Sequence, residues 1–357
     1  MAASLTTIAI TIRKTIRYGL YLVILVTVVR LLYGIGIGFY RKIRPAPPPP
    51  PTLAFGKLPK LPFPEQGVLP PGAQELPALE YKVETATGNL PKFDPQVKIY
   101  FMPTQSPNLF SANKAKETAT RLGFTGGPVE LTQTLFRFKH SSSPSSMELN
   151  IVTGVFSISF DIASDRSITT FRPPAPPAAI NQVKAFLSFA GVFPPDFTEA
   201  PATHDFLILE GQKLVPAVSL SEAQIIKVNL YRKEYDKLPS VTTVPDQANV
   251  WFLVSGSGDR GRSVFAGEFH YFPVDEEKNA TYPLKTSQQA LDELIQGGGF
   301  IARLGENQDG KITVRKIYLG YYDSGIQMDF YQPVVVFEGD RDFVAYVPAV
   351  THDHYED

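Results

Sequence analysis

The stretch Val254-Ser-Gly-Ser-Gly-Asp-Arg-Gly261 has the Gly-x-Gly-x-x-Gly spacing of a dinucleotide-binding loop. In such a site the glycines let the backbone wrap a pyrophosphate, and a following helix points its N-terminal amides at the phosphates. Here the next residues place Phe265, Phe269 and Tyr271 on one side at a period of two, and Pro273 ends the run. That pattern is typical of a strand. The motif therefore predicts the loop of an antiparallel hairpin, and no cofactor is expected.

The histidines offer the next candidates for chemistry. His204-Asp205 could orient an imidazole for general-base work, and His270 lies in the strand after the glycines. Among the histidines, only His352-x-His354 has a spacing that could bind a metal ion, and a solvated acidic tail accounts for this pair. The chain has no cysteine and no Gly-x-Ser-x-Gly sequence. These residues predict no catalytic and no metal site; a hydrolase that uses His204 or His270 in a cleft is the alternative.

Charge is distributed unevenly along the chain. Residues 1–44 carry seven cations and no acid, whereas the remaining residues carry 27 basic and 35 acidic side chains. An acidic body argues against a nucleic-acid partner, because binding to phosphates requires a basic face. The cations at the N-terminus indicate a membrane instead.

Residues 18–40 are predicted to form a transmembrane helix that follows a short tail, 1–17. The segment has 23 residues and a single charge, Arg30, and tyrosines bracket it as interfacial aromatics do. The alternatives are a buried helix of the body and a signal peptide, although no small-x-small cleavage site follows promptly. The spacing Gly34-x-x-x-Gly38 would let two such helices approach closely, which predicts a homodimer. Cations flank both ends almost equally, and the acidic body favours an extracytoplasmic C-terminal part.

A proline-rich linker is expected over residues 41–75. Eleven prolines occur between Pro45 and Pro71, and this density favours an extended polyproline II stalk. The acidic and histidine-containing residues 351–357 are expected to be a tail.

The body is expected to be α+β, with two related units at 76–200 and 201–350. Each unit would lay a helix on an antiparallel sheet, because Ser111 to Leu122 and Thr286 to Ile295 have helical apolar stripes and strand patterns follow both. Thr286-x-x-Gln289 also matches a capping box. A further helix is predicted from Pro176 to Gly191.

Four late segments resemble the C-terminal part of YycH/YycI-type regulators. They are Tyr282 to Gln296, Ile317 to Tyr322, Tyr331 to Gly339 and Ala345 to Pro348. The pairing of a helix with a following hairpin also resembles PepSY-type domains. The resemblance implies a single-pass membrane protein whose α+β ectodomain regulates a cell-wall sensor kinase through protein contacts. It directs attention to three tyrosines on late strands as exposed binding residues, with cross-strand packing as the alternative: Tyr321, Tyr322 and Tyr331.

The expected function is that of a membrane-anchored, extracytoplasmic binding or regulatory protein of the bacterial envelope. It would act without catalysis on a protein partner, either a sensor kinase or another envelope protein. The alternatives are the envelope hydrolase and a purely structural envelope protein.

Overall fold

The protein is described by a computed structural model over residues 5–43, 49–64, 78–104, 106 and 111–356. The chain divides into two compact units between Pro50 and Pro51. Of the expected linker, residues 44–48 and 65–75 lie outside the described residues.

The first unit is a long helix, α1, Leu5–Ile43. Its stretch Ile12–Ile37 is long and apolar enough to cross a membrane, and none of that stretch is buried against protein. The predicted apolar span is therefore confirmed as a helix, with bounds that extend beyond residues 18–40 at both ends. Most of the expected N-terminal tail is helical too, since α1 begins at Leu5.

The second unit, the body, starts at Pro51 and is rich in β-strands. Its described helices are α2 Ser111–Arg121, α3 Pro176–Ala190, α4 Arg260–Ser263 and α5 Ser287–Ile295. Its described strands are β1 Glu80–Val83, β2 Gln96–Phe101, β3 Gly126–Glu130, β4 Leu135–Lys139, β5 Ser145–Asn150, β6 Phe156–Phe160, β7 Ala202–Glu210, β8 Lys213–Pro216, β9 Ile225–Leu230, β10 Ser240–Thr242, β11 Val250–Val254, β12 Val264–Phe269, β13 Asp275–Pro283, β14 Phe300–Arg303, β15 Lys311–Asp323, β16 Phe330–Tyr331, β17 Pro333–Gly339 and β18 Val344–Pro348.

A nine-stranded antiparallel sheet forms one half of the body, in the order β3-β4-β5-β6-β12-β11-β9-β7-β8. Helices α2 and α3 pack on one face of this sheet through small and branched residues such as Ala119, Val183 and Leu187. The sheet joins β6 to β12, with Ile158 opposite Gly267. The expected boundary between residues 200 and 201 therefore runs through one continuous sheet.

The other half contains a six-stranded sheet and a small sheet of β13, β2 and β16. The path β1-β15-β17-β18-β14 is antiparallel except at β1, which pairs in parallel with β15, as β10 does. Helix α5 covers this sheet with Ala290 and Leu294. An apolar N-terminal helix and a sheet-rich body with few helices agree with the α+β prediction. The two-unit arrangement is not confirmed, because the body is one compact unit.

Residues 51–64 belong to the body, although they were expected to form part of the linker. Leu58 and Leu61 are buried, and Phe63 stacks on Phe300 with ring centroids 5.2 Å apart. The amide of Leu58 donates to the carbonyl of His354 at 2.8 Å. Burial of these side chains removes apolar area from water. The gain in free energy outweighs the tendency of the prolines to keep the segment extended as part of a stalk.

Candidate binding cleft

The three tyrosines predicted as exposed binding residues are all buried. Tyr321, Tyr322 and Tyr331 are each 0% exposed, so the predicted exposure is wrong and the packing alternative describes them. Tyr321 and Tyr331 stack with ring centroids 5.1 Å apart. Their hydroxyls donate to the carbonyl of Lys98 at 2.8 Å and to Ser240 Oγ at 2.6 Å, respectively. These side chains pack in the core.

The histidines of the hydrolase alternative lie apart from any carboxylate. His204 is exposed on β7, while the carboxylate of the next residue, Asp205, accepts a hydrogen bond from Asn229. Successive residues of a strand face opposite sides, which separates the two side chains. His270 Nδ1 lies 3.1 Å from the carbonyl oxygen of Gly325. In the described part of the chain, neither imidazole forms an ion pair with an acid.

The C-terminal residues are docked on the body. His352 Nε2 lies 3.2 Å from Glu293, and Tyr355 is buried. Within residues 111–356 and the other described ranges, no group of three or more His, Asp or Glu side chains is arranged to hold a metal ion. The expected solvated tail is thus structured as far as Glu356; Asp357 lies outside the described residues.

The glycine-rich stretch connects two antiparallel neighbours, β11 and β12, as the sequence predicts. A single helical turn, α4, stands between the loop and β12, and the side chain of Asp259 caps it by accepting from the Gly261 amide at 3.1 Å. A dinucleotide site would need a parallel strand–helix–strand unit with a full helix after the glycines. The loop geometry does not provide one.

Each glycine of the motif has a separate local role. A Cβ on Gly256 would lie 2.2 Å from the carbonyl oxygen of Arg172, so the backbones of these two segments pass in close contact. A Cβ on Gly261 would lie 2.4 Å from the imidazole of His140. A Cβ on Gly258 would meet no atom within 4 Å. Two of the three glycines are therefore required by packing.

A cleft of about 680 Å³ opens beside this loop. Its walls are the end of α2, one side of α3 and the loop itself, and His140 lies among them. Ligand sites of proteins are typically clefts of roughly 300–1,000 Å³ with apolar walls and a few polar groups. The lining residues that matter for its chemistry are Arg121, Leu122, His140, Gln182, Phe186, Phe189, Asp259, Arg260 and Val264.

Helix α3 presents a stripe to the cleft that is distinct from its core face. Gln182, Phe186 and Phe189 follow a spacing of four and three residues, which places them on one side of the helix. Phe186 packs edge-on against Phe252, with centroids 5.5 Å apart, whereas Phe189 is 53% exposed. The guanidinium carbon of Arg260 lies 5.3 Å from the ring centroid of Phe189. The cleft thus combines an exposed aromatic ring with a cation.

His140 is held tightly between two glycines and one aromatic ring. Gly123 and Gly261 face its imidazole, and Phe124 contacts it edge-on with centroids 5.1 Å apart. Its Nδ1 accepts a hydrogen bond from the amide of Ser142 at 3.2 Å, which leaves the proton of the neutral ring on Nε2. Burial lowers the pKa of His140, and this effect exceeds the opposing one of the Asp259 carboxylate. The lowered pKa favours the neutral ring, in which Nε2 carries the proton.

Arg262 fixes the loop that forms one wall of the cleft. Its Nε donates to Asp165 at 2.8 Å, Nη1 pairs with Asp259, and Nη2 donates to the carbonyl of Ser142 at 3.2 Å. Hydrogen bonds from Ser167, followed by the one from Arg262, lower the pKa of Asp165 to about 2. The cleft wall is therefore held by charge-assisted hydrogen bonds from Arg262 to two other segments, at Asp165 and Ser142, and to Asp259 of its own loop.

A second arginine, Arg232, lies in the core where the nine-stranded sheet meets β15 and β16. Its side chain is 1% exposed and donates to Asp323 at 2.9 Å and to the carbonyl of Phe272 at 2.6 Å. Its guanidinium carbon lies 4.5 Å from the ring centroid of Tyr271. Asp196 lies 3.7 Å away, and burial raises the pKa of that carboxyl. This cluster joins the two halves of the body.

No sequence pattern singled out Arg262, Arg232 or His140 as functional residues. The signal for the cleft was the stripe of Gln182 and Phe189 on α3, because both residues lie off the buried face of this helix, which Ala179, Val183, Leu187 and Ala190 form. No local pattern marks Arg232, whose partners come from segments as far apart as Asp196 and Asp323.

Comparisons with known proteins show no family for this chain. No protein-family model and no curated protein matches it. Among solved structures it is similar to the crystal structure of an uncharacterized protein from Eubacterium rectale, with a TM-score of 0.40 and 10% sequence identity. That match covers 74% of this chain and 86% of the other. A likeness at this level carries no argument about function.

Proposed function

We propose that the protein is a single-pass, membrane-anchored binding protein of the bacterial envelope whose extracytoplasmic body regulates a partner without catalysis. The observation that carries this proposal is helix α1. None of its apolar stretch Ile12–Ile37 is buried against protein, although a soluble protein would bury such side chains. The body is a separate compact unit and carries the cleft in which a ligand or partner would bind.

The regulatory part of the proposal rests on the resemblance to YycH/YycI-type proteins. The late segments that carry the resemblance lie in adjacent elements: α5 packs against the sheet in which β15, β17 and β18 are neighbours. Such a unit could present one surface to a sensor kinase or another envelope protein. The contacts would be made by residues other than the three buried tyrosines.

Two features of the cleft favour binding over catalysis. His140 uses Nδ1 to accept from a backbone amide, so this nitrogen is not available as a base. Asp259, the one carboxylate among the named lining residues, pairs with Arg262 and caps α4. Both groups therefore have structural partners within the described residues.

Protease accessibility on intact cells and on spheroplasts tests the proposal with the full-length protein. We expect the protein in the membrane fraction, with its body digested once the outer layers are opened and protected in intact cells. A variant with Leu22→Glu and Leu25→Glu is the control, because charges at the centre of the span oppose insertion. A body that stays protected in spheroplasts, or a wild-type protein that remains in the soluble fraction, would contradict the proposal.

A further inference from the structure

Arg260 has no acidic partner among the described residues, unlike Arg121 of the same lining and Arg262 of the same loop. Seven arginines of the body pair with a carboxylate: Arg121, Arg137, Arg232, Arg262, Arg303, Arg315 and Arg341. Among the described residues, no carboxylate pairs with Arg260, which contacts the ring of Phe189 instead. A guanidinium placed over an aromatic ring keeps its hydrogen-bond donors free for a planar anion.

One guanidinium of the cleft lining is free to meet a negative charge. Asp259 shares Arg262 with Asp165, and Arg121 pairs with Glu117 at 2.5 Å, so Arg260 is the one arginine of the lining without an ion pair among the described residues. A carboxylate carries one charge and fits the guanidinium fork. A phosphate dianion would bring a second charge close to Asp259 without a second free cation. The lining therefore favours a monocarboxylate.

The rest of the lining requires an apolar group beside that carboxylate. The exposed ring of Phe189 adjoins Phe186, and Leu122 and Val264 complete the apolar lining. The Gln182 amide accepts or donates no hydrogen bond within the described residues and is exposed on the same stripe of α3. An aromatic or branched apolar group would bury against the rings, while amide groups of the ligand could bond to Gln182.

We propose that the cleft binds an apolar monocarboxylate, with its carboxylate on Arg260 and an aromatic or branched side chain against Phe189 and Phe186. A single carboxylate beside an apolar side chain is found at the free C-terminus of a peptide that ends in an apolar residue. It is also found in a free N-acylated apolar amino acid. The inference rests on the proposed binding role of the body, but it does not depend on the membrane orientation.

Isothermal titration calorimetry on the full-length protein in detergent micelles tests this binding. The probes are N-acetyl-phenylalanine and acetyl-Gly-Gly-Phe, each compared with its C-terminal amide, which keeps the shape and removes the charge. We expect each acid to bind at least about tenfold more tightly than its amide, as a charge-assisted bond to arginine allows. If acetyl-Gly-Gly-Phe binds more tightly than N-acetyl-phenylalanine, the ligand is identified as a peptide C-terminus. If the two acids bind with equal affinity, the ligand is identified as the small acid.

Two variants locate the site. Arg260→Gln should reduce the preference for acid over amide to within about twofold, and Phe189→Ala should weaken acid and amide alike. The matched controls are Arg172→Gln and Phe171→Ala, which change exposed side chains outside the lining and should bind as the wild type does.

Equal binding of acids and amides, no binding of either by the folded protein, or full acid preference in Arg260→Gln would overturn the inference. Circular dichroism melts of each variant establish that the body is folded. The fractionation and protease results are independent of these titrations, so failure of the ligand assignment leaves the anchored location standing, and the reverse also holds.

Discussion

Arg232 and Arg260 both lie over aromatic rings, but in opposite environments. The guanidinium of Arg232 lies 4.5 Å from the ring of Tyr271 in the core, where two aspartates and a carbonyl surround it. The guanidinium of Arg260 lies 5.3 Å from the ring of Phe189 at an open cleft, and no carboxylate of the described residues forms an ion pair with it. The pairing of a guanidinium with an aromatic ring is therefore fully buried at Arg232 and accessible to solvent at Arg260.

The difference shows how burial decides the role of a charged side chain. Burial disfavours the charged form of Arg232, yet Asp323 and the surrounding tyrosines together outweigh it and hold the pKa of the guanidinium above its usual value. A cation without such partners could not remain in the core. Arg260 stays hydrated and needs no internal partner, so it is free to pair with an incoming anion. We expect core variants to change stability and cleft variants to change binding.

The largest effect is expected for Arg232→Met. This substitution leaves Asp323 and Asp196 buried without their cation, and breaking a buried ion pair typically costs about 3–5 kcal/mol. The free energy of unfolding, from urea titrations followed by tryptophan fluorescence in detergent micelles, measures the loss. Arg260→Met is the matched control. A loss below about 1 kcal/mol for Arg232→Met would show that the two halves of the body do not depend on this pair.

Gly256→Ala should have the next largest effect. The new methyl would overlap the backbone carbonyl of Arg172, which cannot move as a side-chain end can. Overpacking of this kind costs roughly 1–3 kcal/mol. Gly258→Ala, where the methyl meets no atom within 4 Å, should stay within about 0.5 kcal/mol of the wild type. Equal losses in the two variants would contradict the packing role of Gly256.

His140 should make stability depend on pH in a smaller, defined way. Burial lowers the pKa of His140 in the folded protein, Arg262 acts in the same direction, and Asp259 opposes both. The unfolded chain therefore takes up the proton first, and the free energy of unfolding should fall as the pH drops below the ordinary histidine pKa of about 6.5. His140→Gln should flatten this part of the profile in urea titrations between about pH 7.5 and pH 5.5. An unchanged slope would contradict the assignment.

The smallest effect on stability is expected for Arg260→Gln. The side chain is exposed and has no ion pair among the described residues, so its loss should change the free energy of unfolding by no more than about 0.5 kcal/mol. The same urea titration measures it, beside Arg232→Met. A loss comparable with that of the core variant would mean that Arg260 holds the loop, and its availability to a ligand would then be in doubt.

Local patterns predicted the elements of this fold better than their assembly. The capping box at Thr286 is confirmed, with both reciprocal bonds to Gln289 at 3.2 Å and 2.8 Å. The glycine-rich hairpin and the end of α3 at Gly191, whose φ of 75° suits glycine, are confirmed as well. These features depend on residues within a few positions of each other.

Burial of the late tyrosines could not be predicted from strand periodicity. Tyr321 and Tyr322 are neighbours on β15 and point to opposite faces of the sheet, and each face is covered. Phe63 covers the side of Tyr322, with ring centroids 4.9 Å apart. That contact joins residues separated by most of the chain, so no local pattern records it. The cleft has the same origin, because its walls come from α2, α3 and the loop before β12.

The pairing of Leu58 with Tyr355 gives the body a mechanical property. Leu58 donates its amide to the carbonyl of His354, and its own carbonyl accepts from the amide of Glu356 at 2.9 Å. Tension applied to the chain at Pro51 would be borne first by the bonds of Thr52 and Leu53 to Thr281 of β13, and next by the pairing of Leu58 with the C-terminal residues. Deletion of the C-terminal residues would therefore loosen the chain around Leu58, near the N-terminal end of the body.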